Sequence, residues 1–132
     1  MPTVVMIEDL DTHSDMIKMT FDTLGYDTIP CATFADVRRE VSALQSPPSG
    51  ILLDLSIPPE PGAGHSLESG RDCGIWLRSC HLTKDVPIIV YSAYTDDVRV
   101  PGWCDIIRVA AVLKKHKDSI KLIERTIKDH FH

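Results

Sequence analysis

A chain of 132 residues, 43% hydrophobic and 25% charged, has the commonest size and composition of one globular unit, so a single domain over 1–132 is expected. Its formal net charge of -5 excludes the basic footprint that direct nucleic-acid binding needs, and the "KKHK" at 114–117 is too short to supply one. No apolar run can span a bilayer and no secretory signal opens the sequence, so a cytoplasmic protein without membrane attachment is expected, its four separately placed cysteines free thiols.

"TVVMIED" (3–9) is an apolar run of strand length closed by two acids. The next segment places Ile17, Phe21 and Leu24 at helical spacing, with Gly25 as the stop. "YDTIPC" (26–31) reads as a second strand, and Pro30, which cannot donate to a ladder, makes it an edge. Val37, Val41 and Leu44 share a helical face that ends before Pro47 and Pro48. "GILLD" (50–54) is a third strand without polar alternation, as a parallel strand covered on both faces should be. A loop of unusual length follows, and helical character resumes over 69–82 around Ile75, Trp76 and Leu77. "VPIIVYSA" (86–93) is the most strand-like stretch. A helix is then expected within 94–108, where Pro101 and Gly102 should break it. "VAAVL" (109–113) is a fifth strand, and Asp118 or Ser119 caps a last helix with Ile120, Ile123 and Ile127 on one face.

Five strands alternating with five helices imply a parallel sheet covered on both sides, a doubly wound α/β sandwich. With right-handed crossovers and the second strand at an edge, the flavodoxin-like (βα)5 order 2-1-3-4-5 is the economical topology. Its site lies beyond the carboxyl ends of the strands, where Glu8, Asp9, Asp54, Ser92 and Lys114 or Lys115 collect. Crowded carboxylates need a cation, and hard oxygen ligands with room for water suit Mg2+. An aspartate nucleophile, a metal to spread charge and a lysine opposite are the parts that phosphoryl transfer requires.

With these residues in place the sequence resembles the receiver domain of two-component response regulators over essentially its whole length. "VVMIED" is similar to that family's first strand and acid pair, "ILLDLSIP" to its phosphoacceptor strand, "VPIIVYSA" to its Ser/Thr-Ala switch strand and "AVLKKH" to its Lys-Pro strand end. The resemblance implies a phosphorelay protein in which Asp54 accepts a phosphoryl group from a histidine kinase or histidine phosphotransfer protein. Mg2+ (or Mn2+) would be bound directly by Asp9 and Asp54, through water by Glu8, and by the backbone carbonyl of Ser56. Ser92 and Lys115, with Lys114 as the alternative, would hold the phosphoryl oxygens. Output would pass to a downstream protein target or onward by phosphotransfer.

Three departures from the family stand out. His116 replaces the usual proline, so the cis bond expected there is in question. Val112, or Ala111 in the other register, stands where the family has its switch aromatic. "VPGW" sits in the fourth helix. These departures keep open a receiver-like binding module that signals without phosphorylation. An aspartyl-phosphate phosphatase is disfavoured because Ser56 occupies the place of its second acid, so no enzyme activity is expected beyond self-catalysed phosphorylation and dephosphorylation of Asp54. His65, Cys73, Cys80 and His81 fit no zinc pattern. Gly70 matches the glycine before the family's third helix, yet it comes sixteen residues after Asp54, later than the family's spacing. The intervening insertion, about 60–69, makes Pro58, Pro59, His65 and Gly70 candidates for a lid or partner contact beside the site.

Overall fold

A computed structural model describes residues 2–9 and 12–132. The chain runs β1 (Thr3–Ile7), α1 (Thr12–Thr23), β2 (Asp27–Cys31), α2 (Phe34–Ser42), β3 (Gly50–Leu53), α3 (Leu67–Ser79), β4 (Ile88–Ser92), α4 (Val100–Ile107), β5 (Ala111–Lys114) and α5 (Ile120–His130). All neighbouring strands are parallel, in the order β2-β1-β3-β4-β5 that the sequence predicts.

The unbroken apolar runs of the central strands are explained by their two faces. Val5, Ile7, Ile51, Leu53, Ile88 and Val90 point to the side covered by α2, α3 and α4, where Val37, Val41, Cys73, Leu77, Val100 and Ile107 meet them. Their alternates Val4, Met6, Leu52, Ile89, Tyr91 and Leu113 face Ile17, Phe21, Ile123, Ile127 and Phe131 on the side of α1 and α5. Each such side chain contributes roughly 1.5–3 kcal/mol by leaving water, so neither face of β1, β3 or β4 tolerates a polar residue before the strand ends. Leu24 and Leu44, expected on the core faces of their helices, are only partly buried. At the foot of the sheet Phe131 covers Gly50 so closely that an added Cβ would lie 2.3 Å from the ring.

Local signals account for the helix starts. Thr33 accepts from the Asp36 N–H at 3.1 Å, Ser66 from Ser69 at 3.1 Å and Ser119 from Leu122 at 3.2 Å. Ser119 is thus the cap of α5, while Asp118 accepts from the Lys114 N–H at 2.6 Å. One expectation is overturned: Pro101 does not break α4. It stands in the first turn, where its missing N–H would have had no helical partner, so it starts the helix, and residues 94–99 form turns instead. The fifth strand also begins later than expected, at Ala111, because Val109 still bonds back to Cys104 at the end of α4. Trp76 and Trp103 are partly buried against the core. The guanidinium groups of Arg71 and Arg99 lie over the Trp103 ring, at 5.3 and 4.9 Å from its centroid. Arg78 braces the end of the sheet remote from the strand carboxyl termini, donating to the carbonyls of Thr83, Lys84, Val86, Ile107 and Arg108.

Candidate functional site

Strand register brings the polar residues level. Ile7 pairs with Leu53 and Leu53 with Val90, so β1 and β3 end level and β4 runs two residues further, to Ser92. Backbone bonds extend the ladder one step further, from Asp54 N–H to the Ile7 carbonyl at 2.8 Å and from Lys115 N–H to the Ser92 carbonyl at 3.0 Å. Glu8, Asp54 and Lys115 therefore emerge together, and each stays buried: they are 1%, 3% and 7% exposed.

Three charges in so dry a place require close pairing. The Lys115 ammonium meets Glu8 Oε1 and lies 2.8 Å from Asp54 Oδ2. Asp54 Oδ1 accepts the Ser56 backbone N–H at 3.0 Å. Burial pushes the Asp54 carboxyl above the usual aspartate value; Lys115, the Ser56 N–H and the Ser92 hydroxyl pull it back without cancelling the shift. Burial also opposes the charge on Lys115, but Asp54 and Glu8 outweigh it and hold the ammonium above the ordinary lysine value. Lys114, one residue earlier, turns the other way and pairs with Asp96 on the surface. Ser92 is fully buried and its Oγ accepts the Tyr94 N–H at 3.2 Å.

A cleft of about 160 Å³ opens over this group, lined by Asp9, Asp54, Ser56, His65, Ala93, Tyr94, Lys115 and His116. Ala93 is the alanine of the quoted switch stretch, whereas Tyr94, next in the chain, is not singled out in the sequence although it also lines the cleft. His116 has a left-handed backbone (φ 67°) and follows Lys115 through a trans bond, so the chain leaves β5 without the cis geometry in question above.

The long loop is built rather than slack. At its start the Pro58 and Pro59 carbonyls accept the first N–H groups of α2, from Phe34 at 3.0 Å and Ala35 at 2.9 Å. At its end Ser66 bridges back to Ile57 and caps α3. Gly70 lets α3 rest on the loop, since a Cβ there would stand 2.0 Å from the Leu55 carbonyl oxygen. Between these anchors only 60–64 form an outward tip, and His65, on the return, places Nε2 2.6 Å from Asp9 Oδ2. Of the other histidine and cysteines weighed as a metal set, Cys73 is buried in the core and His81 is exposed.

Among the described residues, no three His, Cys, Asp or Glu side chains converge as a closed metal cage would need. Mg2+ does not ask for one: it keeps several waters and takes one or two carboxylates together with phosphate oxygens. Asp9 and Asp54 facing one small cleft, with Ser56 beside them, make a donor set of hard oxygens that fits this ion.

The doubly wound sheet with an acidic cleft at its carboxyl edge is, more particularly, the receiver-domain fold. A receiver domain of a two-component histidine kinase from Clostridium thermocellum superposes with a TM-score of 0.82 at 19% identity, over 97% of this chain and 95% of that one. A chemotaxis protein of Vibrio cholerae matches at 0.81 with 15% identity, over 99% of each chain. The receiver domain of a sensor histidine kinase from Pseudomonas aeruginosa, whose structure holds a magnesium ion in its active-site cleft, matches at 0.77 with 18% identity, over 98% and 96%. No protein-family model matches the sequence, and no curated protein does. At these identities the likeness is one of fold. No helix among the described residues is long and apolar enough to cross a membrane.

Proposed function

We propose that this protein is a phosphorelay receiver, acting as one unit over 1–132, in which Asp54 takes a phosphoryl group from a histidine kinase or histidine phosphotransfer protein. The observation that carries the reading is the buried Asp54 carboxylate, held between the Lys115 ammonium and the Ser56 N–H at the floor of a small cleft. A carboxylate oxygen attacks the phosphorus of the donor phosphohistidine; the new P–O bond forms as the P–N bond breaks, and the imidazole leaves. Mg2+ or Mn2+, when bound by Asp9, Asp54 and the Ser56 carbonyl with Glu8 behind water, supplies charge neutralisation for the phosphoryl oxygens. Lys115 and the Ser92 hydroxyl hold those oxygens from the other side. Output then runs through binding of a downstream protein or onward transfer, and turnover is confined to formation and loss of the Asp54 phosphate.

One observation favours a second reading, a binding module that signals without phosphate. Counting back from Lys115, Val112 stands half-exposed at the position of the family's switch aromatic, so the usual movement of that ring has no counterpart. Titrating the protein with Mg2+ and beryllofluoride while following amide resonances separates the two. Saturable shifts around Asp54 and Ser92, abolished in Asp54→Asn, are expected; a wild-type protein that binds no phosphoryl mimic overturns the first reading in favour of the second.

A further inference from the structure

We propose that His65 is a positioning residue for the metal site: the loop insertion exists in part to bring a nitrogen donor onto Asp9 and so to raise the affinity of the cleft for its divalent cation. The inference rests on the phosphorelay reading above and concerns a residue outside the set that the resemblance implies.

Asp9 is the least supported of the site's acids. Glu8 and Asp54 are buried and share Lys115, whereas the Asp9 side chain is 41% exposed and follows the last residue of β1 by two positions. A half-exposed carboxylate at a strand end samples several rotamers, and binding a metal would have to freeze it. His65 lies 2.6 Å from Asp9 Oδ2, a distance that fits an imidazole N–H donating to a carboxylate. The contact engages one oxygen, so Oδ1 remains available for the cation. Carboxylate ligands held in this way by an outer hydrogen bond are the general pattern in metal sites, where loss of such a partner weakens affinity about 10–100-fold.

The placement of the imidazole is fixed by the fold. His65 directly precedes Ser66, which bonds back to Ile57 and caps α3, and the other limb of the loop is pinned to the start of α2 through Pro58 and Pro59. Both limbs are thus bonded to helices beside His65, and the mostly exposed tip 60–64 precedes it in the chain. His65 also lines the same cleft as Asp54 and Lys115, so the bond to Asp9 forms at the site's mouth.

The test is the binding of Mn2+ alone, followed by the electron paramagnetic resonance signal of free Mn2+, and of Mg2+ by calorimetry. His65→Ala is expected to weaken both about tenfold or more while the far-ultraviolet circular dichroism and melting temperature stay unchanged. His65→Gln, whose amide nitrogen reaches the place of Nε2, is expected to recover most of the loss. If His65→Ala binds either metal as tightly as the wild type, or if His65→Gln is as weak as His65→Ala, the positioning role is overturned while the phosphorelay reading stands. A wild-type protein that takes up neither metal overturns both.

Discussion

Lys114 and Lys115 are adjacent lysines with opposite fates, and the difference lies in which face of the sheet end each reaches. Lys115 is the cation between two buried carboxylates; removing it leaves Glu8 and Asp54 confronting each other in a dry pocket. Lys115→Ala is therefore expected to cost about 3 kcal/mol or more in urea denaturation, with loss of phosphoryl-mimic binding. Lys114→Ala, which breaks an ion pair whose Asp96 partner is 83% exposed, should cost under about 1 kcal/mol and spare the site. From the residues alone Lys115 is preferred with Lys114 kept as the alternative, because a shift of one position at a strand end exchanges the faces and no periodic signal continues beyond β5. The acids were more legible. Each ends an apolar run abruptly, and in a sheet covered on both sides such an ending is where the strand meets water. The bond between His65 and Asp9 was not legible at all, since it joins residues 56 positions apart across an irregular loop.

Helices and strands show why some boundaries are legible in a sequence and others, such as the starts of α4 and β5, are not. The capping hydroxyl at Ser119 announces its helix through chemistry confined to three or four residues, and Thr33 and Ser66, not singled out from the sequence, do the same in the structure. In α4 the same kind of local reasoning misleads, because proline disrupts a helix interior and suits a helix start, and only the surrounding packing of Val100 and Ile107 decides which applies. Gly70 gives the contrary case, a residue whose role is tertiary although its helix is local. Its missing side chain permits α3 to lie against the Leu55 backbone, which cannot yield as a flexible side chain could. Gly70→Ala is expected to destabilise the protein by about 3 kcal/mol, read as a lowered denaturation midpoint with unchanged slope, despite alanine's better helix propensity. A stability equal to wild type would mean that α3 is not seated as described.

Taken as one body, the protein divides its apolar residues between two clusters on either side of a single sheet, and the sequence conveyed that division through the alternation hidden inside its continuous apolar runs. Two thiols report on the larger cluster. Burial pushes Cys31 up to about 12 and raises Cys73 further still, so both stay neutral in the folded state at pH values where an unfolded chain ionises them. The unfolded state then binds fewer protons, and stability falls as pH rises from near 9 towards the folded value, by about 1.4 kcal/mol per pH unit for each thiol. The expected outcome is a denaturation midpoint that declines with pH over this range in the wild type and declines less in Cys31→Ala. Native-state alkylation should meanwhile spare Cys31 and Cys73.

The tip at 60–64 projects between two limbs that are fastened separately, one to α2 and the other to α3. Closing a flexible loop between fixed ends costs only about 0.6 kcal/mol for each doubling of its length. Length at this point is accordingly cheap, while the limbs keep their seats. An epitope, a dye-bearing cysteine or a tethering peptide grafted between Glu60 and Gly64 would ride a few residues from His65 without altering the carboxylates below it. The insertion thus offers a reporter position next to the chemistry, in a part of the molecule where added chain is usually least welcome.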